Sequence, residues 1–300
     1  MTKVSVIITT YGMPVFLNKA IESVFNQTLI DLEIIIVDDN DPHTEARILT
    51  EKIVQKHIKS SKKIIYLKHK KNKNGAAARN TGIAAAKGKY ISFLDNDDEY
   101  APQRMEKCYT VMQQSTEEYA GVYTGCEFKR NGKTYHIHKK VKEGNFMLET
   151  LAGTFMFSTG SNIFIRKNVV EELNGFDESF LRHQDYEFLV RLFEKYNLKA
   201  IAEVLLVKNN ENFNLPVVKK MIQIKDKYLS KFDSVIKKMS LENQNFIFES
   251  HYISIAEQAL KINNKTISKE YYKKANYYRK ADLKTKLRKF AFRLLNLVKL

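Results

Sequence analysis

The sequence predicts an α/β fold: a mostly parallel sheet flanked by helices, followed by an all-helical C-terminal extension. Three observations predict it. Two short runs, Ile34-Ile35-Ile36-Val37 and Tyr90-Ile91-Ser92-Phe93-Leu94, are rich in β-branched and aromatic residues and read as buried strands of a parallel sheet. Each closes in carboxylates, Asp38-Asp39 after the first and Asp95-Asn96-Asp97-Asp98 after the second, at the strand end where open α/β sheets bind ligands. Strand-like and helix-like segments also alternate through four consecutive βα units, which calls for parallel pairing with right-handed crossovers.

Taken in order, Val4–Thr9 is an apolar strand, and Pro14–Gln27 carries Phe16, Leu17, Ala20, Ile21 and Val24 at helical spacing. Leu32–Val37 is the second strand, and Ile48, Leu49, Ile53 and Val54 mark a helix near Glu45–Lys59. Lys62–Leu67 is a short strand, Ala76–Ala86 a small helix, and Tyr90–Leu94 the fourth strand. Beyond Pro102 come a helix to about Ser115, a strand near Gly121–Cys126 and a mixed segment around Asn131–Gly144. Thr159-Gly160-Ser161-Asn162 leads into a strand at Ile163–Arg166, followed by Val169–Leu173, a helix from about Asp185 to Tyr196 and a last strand at Ala200–Val207. Past Pro216 the pattern is helical, near 218–238, 243–262, 266–279 and 283–298.

Charge divides the chain in the same place. Residues 216–300 hold 20 of the 50 Lys and Arg but only 7 of the 34 Asp and Glu, so most of the net charge of +16 lies in the last third. We therefore expect a catalytic domain at 1–215 and a basic helical region at 216–300 that meets an anionic surface. Cys108 and Cys126 are too few for a disulfide framework or a metal site and read as free thiols of a reducing cytoplasm. The N-terminus runs straight into a strand without a basic leader, and no stretch reaches the roughly 18 apolar residues of a membrane span.

The acidic clusters carry the chemistry. Carboxylates at i and i+2 on a turn leaving a strand can point into one cleft. Hard oxygen ligands there suit Mg²⁺ or Mn²⁺, whose shell phosphates complete. A bare Asp-x-Asp is commonly a solvated turn; its place at the end of a fourth parallel strand favours the metal, and with it a nucleotide-activated donor. A carboxylate ending the second strand reads a ribose or a base edge, or starts a turn, or both. Tyr11, just past the first strand, could stack on a nucleobase or pack at the rim. Gly75–Gly82 opens a helix with small residues and places Arg79 within reach of an anion, yet it lacks the ending of a phosphate-binding loop and the glycine spacing of a dinucleotide fingerprint. In Arg182-His183-Gln184-Asp185, Asp185 is either a helix N-cap or a general base, and His183 is its rival as base.

These motifs, in this order over roughly residues 3–210, resemble the family 2 glycosyltransferases of the GT-A fold, a Rossmann-like architecture. The resemblance rests on Val4–Tyr11, Ser23–Thr28, Ile35–Asp39, Gly75–Gly82, Phe93–Glu99, Gly175-Phe176-Asp177-Glu178 and Gln184–Phe188. It implies that Thr9, Tyr11 and Asp39 surround uracil, that Arg79 lies near the nucleotide, and that Asp95 and Asn96 belong to the nucleotide-sugar site. It further implies Asp97 as the ligand of Mn²⁺ or Mg²⁺ and Asp185 as the catalytic base. The chain departs from the family pattern at Thr9 and Gly12, at Gln184 where a Glu is usual, and at Lys208-Asn209-Asn210, where many members carry a His. Lys208 is a cation available for the same place.

The resulting expectation is an inverting transfer from a UDP-sugar to an acceptor hydroxyl, the acceptor being a glycan or lipid-linked glycan of bacterial surface polysaccharide synthesis. In 283–300, Leu283, Leu287, Phe290, Leu294, Leu297 and Val298 form one stripe, with Lys284, Lys286, Arg288, Lys289 and Arg293 largely elsewhere. Such a basic amphipathic helix suits the inner leaflet of the cell membrane, making the protein cytoplasmic and peripheral; its alternative is docking on protein, including a homo-oligomer partner. The rival class is a nucleic-acid-binding protein using Tyr271-Tyr272-Lys273-Lys274 and Tyr277-Tyr278-Arg279-Lys280. The lack of a nucleic-acid module and the acidic strand ends count against it, and the missing triphosphate loop counts against a nucleotidyltransferase. We therefore expect no nucleic acid among the partners.

Overall fold

The structure, a computed structural model, describes residues 2–12, 14–60, 63–155, 160–209 and 217–278. The chain divides into two compact units, Met1–Met147 with Met156–Asn214, and Leu148–Phe155 with Leu215–Leu300. The first unit runs β1 (Val4–Thr10), α1 (Leu17–Phe25), β2 (Leu32–Asp38), α2 (Glu45–Ser60), β3 (Ile64–Lys68), α3 (Gly75–Ala85), β4 (Tyr90–Asp95), β5 (Glu99–Tyr100), α4 (Arg104–Gln114), β6 (Tyr119–Arg130) and β7 (Lys133–His138). After α5 (Met147–Leu151), all but its first residue in the second unit, the first unit resumes with β8 (Phe164–Arg166), α6 (Lys167–Glu172), α7 (Gln184–Phe193) and β9 (Asn197–Asn209). Among the described residues the second unit contains α8 (Val218–Lys231), α9 (Asp233–Lys237), α10 (Leu241–Lys261) and α11 (Lys265–Tyr278).

Among the described residues nine strands form one sheet in the order β3-β2-β1-β4-β8-β6-β9-β5, with β7 on β6. The four strands of the βα units pair in parallel. Strands β1, β2 and β4 are buried almost throughout, which is why their sequences are continuous apolar runs rather than alternating ones. Beyond β4 the sheet becomes mixed. Strand β8 lies antiparallel between β4 and β6, and β9 runs parallel to β6 across several register shifts. The segment at 131–144 resolves into the second arm of a β6–β7 hairpin, turned at Asn131 and Gly132, both at positive φ.

Two details position the site. Helix α3 lies against β1 so closely that a Cβ on Gly82 would stand 2.4 Å from the Ile7 side chain, so a small residue is required there. The two-residue strand β5, which the sequence pattern does not announce, pairs antiparallel with β9, Glu99 opposite Val207. That register carries Lys208 and Asn209 to the turn between β4 and β5.

In the helical unit Val218, Ile255, Ala256, Ala259 and Tyr271 form a small core. The predicted helix at 218–238 is broken at Phe232 into α8 and α9. Leu148–Phe155 belongs to this unit: Tyr228 donates to the Thr150 carbonyl (2.9 Å) and the His251 ring to the Leu151 carbonyl (2.7 Å). Among the described residues no helix is long and apolar enough to cross a membrane, and the amphipathic segment expected at 283–298 lies outside them.

Candidate active site at the carboxyl ends of the strands

The parallel register sets the floor of the site. Thr9 pairs with Val37 on one side and Asp95 on the other, so the ends of β1, β2 and β4 lie abreast. Asn96 Nδ2 donates to Thr10 Oγ1 at 3.3 Å, and the Gly12 amide donates to Asn40 Oδ1 at 2.7 Å. Gly12, at φ +60°, turns the chain out of β1 beside Tyr11, a residue 62% exposed on the rim.

Asp38 and Asp39 both face inward. Asp38 accepts from the Asn40 amides (2.8 and 3.0 Å) and from the Tyr66 hydroxyl (2.6 Å), and pairs with Arg47 Nε at 3.3 Å. Asp39 Oδ1 accepts from the His69 ring (2.6 Å) and the Lys73 amide (2.8 Å); its Oδ2 accepts from Asn72 Nδ2 (3.0 Å) and the Asn74 amide (2.9 Å). Four donors satisfy a carboxylate. In this arrangement Asp39 holds residues 69–74 in place. Asn74, at φ 92°, then caps α3 by accepting from the Ala76 and Ala77 amides, and α3 carries Arg79.

Arg79 is the strut of the site. One Nη donates to Asp95 Oδ1 at 2.7 Å and the other to Gln184 Oε1 at 2.8 Å, while its guanidinium lies 5.5 Å from the Phe176 ring centre. Gly160 lets it through, because a Cβ there would come within 3.0 Å of the guanidinium. The buried Nε has no hydrogen-bond partner among the described residues. Gln184 opens α7, and the next residue is Asp185, so the acidic turn and the expected base are joined through two charge-assisted hydrogen bonds. Asp185 Oδ1 accepts from the Tyr186 amide at 3.0 Å in the first turn of the helix, where the backbone favours a negative charge. His183, immediately before α7, is held in the left-handed region at φ 61°, a conformation that a non-glycine residue adopts at a cost.

Asp95, Asp97 and Asp98 present oxygens within 4.8 Å of one another. Lys208 Nζ lies 2.9 Å from Asp98 Oδ2 and 3.8 Å from Asp95 Oδ2, and the Asn209 amide donates to Asp98 Oδ1 at 3.3 Å. Burial disfavours charge on Asp95, but Arg79 and Lys208 outweigh it and hold its carboxyl below the usual range. Burial also raises Asp98 above that range, against the pull of Lys208. Among the described residues Asp97 forms no ion pair with either cation; burial and its two acidic neighbours push it up to about 7. Three carboxylates facing two cations leave one negative charge over, at Asp97. A divalent cation with a preference for oxygen ligands fits that donor set.

The structure thus brings together Asp95, Asp97, Arg79 and, through Gln184, the start of the helix bearing Asp185; Thr9 and Asn96 adjoin them along β1. Tyr11 stands at the rim and Asp39 beneath the loop that leads to α3. Sequence reasoning missed Ser161, whose hydroxyl accepts from the Asp95 amide at 3.0 Å, and Asn74, whose place before Gly75-Ala76 is a legible cap signal.

The family described as Glycosyl transferase family 2 matches residues 5–173, more than half of the chain. An uncharacterised glycosyltransferase of Methanocaldococcus jannaschii is 31% identical over 221 residues, 70% of this chain and 72% of that protein. The GalNAc(5)-diNAcBac-PP-undecaprenol beta-1,3-glucosyltransferase of Campylobacter jejuni is 31% identical over 58% of this chain and 57% of its own length. An amylovoran biosynthesis glycosyltransferase of Erwinia amylovora is 29% identical over 62% of each chain, so the match spans somewhat under two thirds of these two relatives. Among solved structures, S. aureus TarS 1–349 in complex with UDP-GlcNAc superposes with a TM-score of 0.59 at 13% identity, covering 92% of this chain and 91% of that one. That likeness is one of fold, and it accords with the expected α/β architecture and helical C-terminal region.

Proposed function

Because this chain belongs to glycosyl transferase family 2, we propose that it is an inverting, metal-dependent enzyme that moves a sugar from a UDP-sugar to an acceptor hydroxyl. One observation carries the reading. At the carboxyl end of β4, a carboxylate cluster short of positive charge is tied by Arg79 to the residue beside Asp185. UDP and UDP-GlcNAc in the complexes of the fold neighbour support the choice of nucleotide.

In this scheme Asp185 accepts the proton of the acceptor hydroxyl as its oxygen attacks the anomeric carbon. The bond from that carbon to the diphosphate oxygen breaks on the opposite face, and UDP leaves with the electron pair. Asp97, with Asp95 beside it, would hold Mn²⁺ or Mg²⁺, which supplies Lewis-acid stabilisation and a template for the diphosphate. Thr9, Tyr11 and Asn96 line the base and ribose side, and Asp39 serves that subsite by ordering residues 69–74. Arg79 orients Asp95 and Gln184 and so fixes the distance between the two halves of the reaction.

Thermal shift with UDP, GDP, CDP and dTDP, each with Mn²⁺ and with a chelator, tests the donor. Stabilisation by UDP, reduced on chelation, is the expected result. Preference for another diphosphate would remove the uracil assignment. Asp185→Asn should lower transfer by about 10²–10⁴-fold while leaving UDP binding unchanged, and near-normal transfer would remove Asp185 as base.

The proposed acceptor is a glycan or lipid-linked glycan, supported by the undecaprenol-linked acceptor in the name of the Campylobacter relative. Docking of the basic C-terminal region on the inner membrane leaflet belongs to the same proposal. Sedimentation with anionic liposomes should lose binding when residues 281–300 are removed; equal binding by both forms would discard it.

A further inference from the structure

The feature of the site that the proposed reaction leaves unused is Lys208. Its side chain is 13% exposed, and its ammonium sits on the carboxylate cluster itself, 2.9 Å from Asp98 and 3.8 Å from Asp95. It is delivered there by backbone pairing rather than by a mobile loop end, since β5 and β9 fix Glu99 opposite Val207 and Tyr100 opposite Leu206. The neighbouring residue reinforces the placement: Asn209 donates from its amide to Asp98, and from its side chain to the Asp97 carbonyl (2.8 Å) and the Glu99 carboxylate (3.0 Å). A cation so placed acts on two ligands with opposite sign. It repels a metal ion approaching the same oxygens and ties up Asp98, and it attracts the diphosphate of a donor.

We infer that Lys208 is a resident cation of the donor site, a positioning residue that loosens the hold of the acidic turn on its divalent metal and lends its charge to the diphosphate. The inference deepens the donor-site reading and rests on it. Without Lys208, three carboxylates face Arg79 alone, so the turn binds a bare divalent ion more strongly and a bare diphosphate more weakly. With Lys208 in place, metal and diphosphate bind best together, and neither is held tightly by itself.

The test is a pair of titrations on the full chain: Mn²⁺ alone, followed by the electron paramagnetic resonance of free Mn²⁺, and UDP alone in chelator, followed by calorimetry. Lys208→Met should bind Mn²⁺ at least about tenfold more tightly and UDP at least about tenfold more weakly than the unaltered protein. Lys208→Arg, which keeps the charge, should stay near the unaltered protein in both. Asp98→Asn removes a negative charge from the other side and should move both affinities in the reverse direction; it carries the test if Lys208→Met does not fold. Unchanged affinities in Lys208→Met, or in Asp98→Asn where that variant must serve, overturn the role of Lys208 and leave the donor site standing. Failure of the unaltered protein to bind UDP in the presence of Mn²⁺ overturns the donor-site reading, and this inference with it.

Discussion

The two units each withdraw a lysine from water, and the two lysines respond in opposite ways. Burial opposes the charge of both. At Lys208 in the sheet unit the carboxylates of Asp98, Asp95 and Asp97 reverse that effect and hold the ammonium protonated well above its usual range. At Lys225 in the helical unit the neighbour within reach is His251, whose Nδ1 lies 3.3 Å from Nζ. Its Nε2 faces the Leu151 carbonyl, which can only accept, so Nε2 carries a proton and Nδ1 is left as an acceptor for the lysine. A neutral acceptor does not offset desolvation, and the lysine is pushed down to about 8. The sheet unit thus concentrates charge and compensates most of it, whereas the helical unit buries its lysine without a compensating charge.

The comparison breaks most sharply at Asp97, the one carboxylate of the cluster with no ion pair among the described residues. Asp97→Asn should lower transfer by about 10²–10³-fold or more, since it removes the carboxylate that would hold the divalent metal. The same change should make the metal-free protein less sensitive to pH. Asp97 is held near 7 against an ordinary value of 3.8, so between those values the native state binds more protons than the unfolded chain. Its contribution is therefore fully present below about pH 4 and is lost as pH rises through 7. Melting temperatures in chelator should show that loss in the unaltered protein and a flatter profile in Asp97→Asn. Near-normal transfer by the variant would remove the metal from the scheme.

Asp97 is legible in the sequence because a strand pattern places it at a ligand-binding edge. The four βα units are legible for a related reason: continuous apolar runs and helical spacing are local signals, and β1, β2 and β4 carry them undiluted. The mixed half of the sheet is harder to read. Strand β8 is read at Ile163–Arg166 but not its antiparallel place between β4 and β6, and β5, two residues long, leaves no period and pairs with a partner as far away as Val207. Asp39 shows the same limit at the site. A carboxylate ending β2 invites a ligand role, yet its donors come from His69, Asn72, Lys73 and Asn74, across α2 and β3, and no pattern near position 39 reports them. The Arg79–Gln184 bond, 105 residues apart in sequence, is beyond reach for the same reason.

On the helical side the comparison sharpens at Lys225. Its native value of about 8 lies below the ordinary 10.5, so the unfolded chain binds more protons between those values, and stability rises with pH across that window. The contribution should reach about 3 kcal/mol above pH 10.5 relative to pH 7. Lys225→Met removes the titrating group and should flatten this rise while matching or exceeding the unaltered protein at pH 7. Denaturant unfolding at pH 7, 8.5 and 10 measures it. An unchanged slope in the variant would mean that Lys225 keeps its charge, and the contrast with Lys208 would vanish.

The smallest effect is expected at the rim, where no buried charge is involved. Tyr11 stands on the chain leaving β1, 62% exposed, beside the Gly12–Asn40 hydrogen bond that fixes this turn. A ring that is mostly solvated in the free protein gains little from packing on its own chain, so its surface is available to a flat partner such as a nucleobase. Stacking of a base on an aromatic ring is worth about 1–3 kcal/mol, and the exposed position argues for the lower end. Tyr11→Ala should therefore weaken UDP about fivefold and leave the rate at saturating donor unchanged, while Tyr11→Phe should preserve affinity. The discrimination matters more than the size: a ring that merely filled the rim would cost melting temperature in the absence of nucleotide and affect UDP and a bare diphosphate alike. Loss of UDP affinity with pyrophosphate affinity intact would assign the ring to the base. Equal loss for both would return Tyr11 to a packing role and leave the carboxylate cluster as the source of nucleotide affinity.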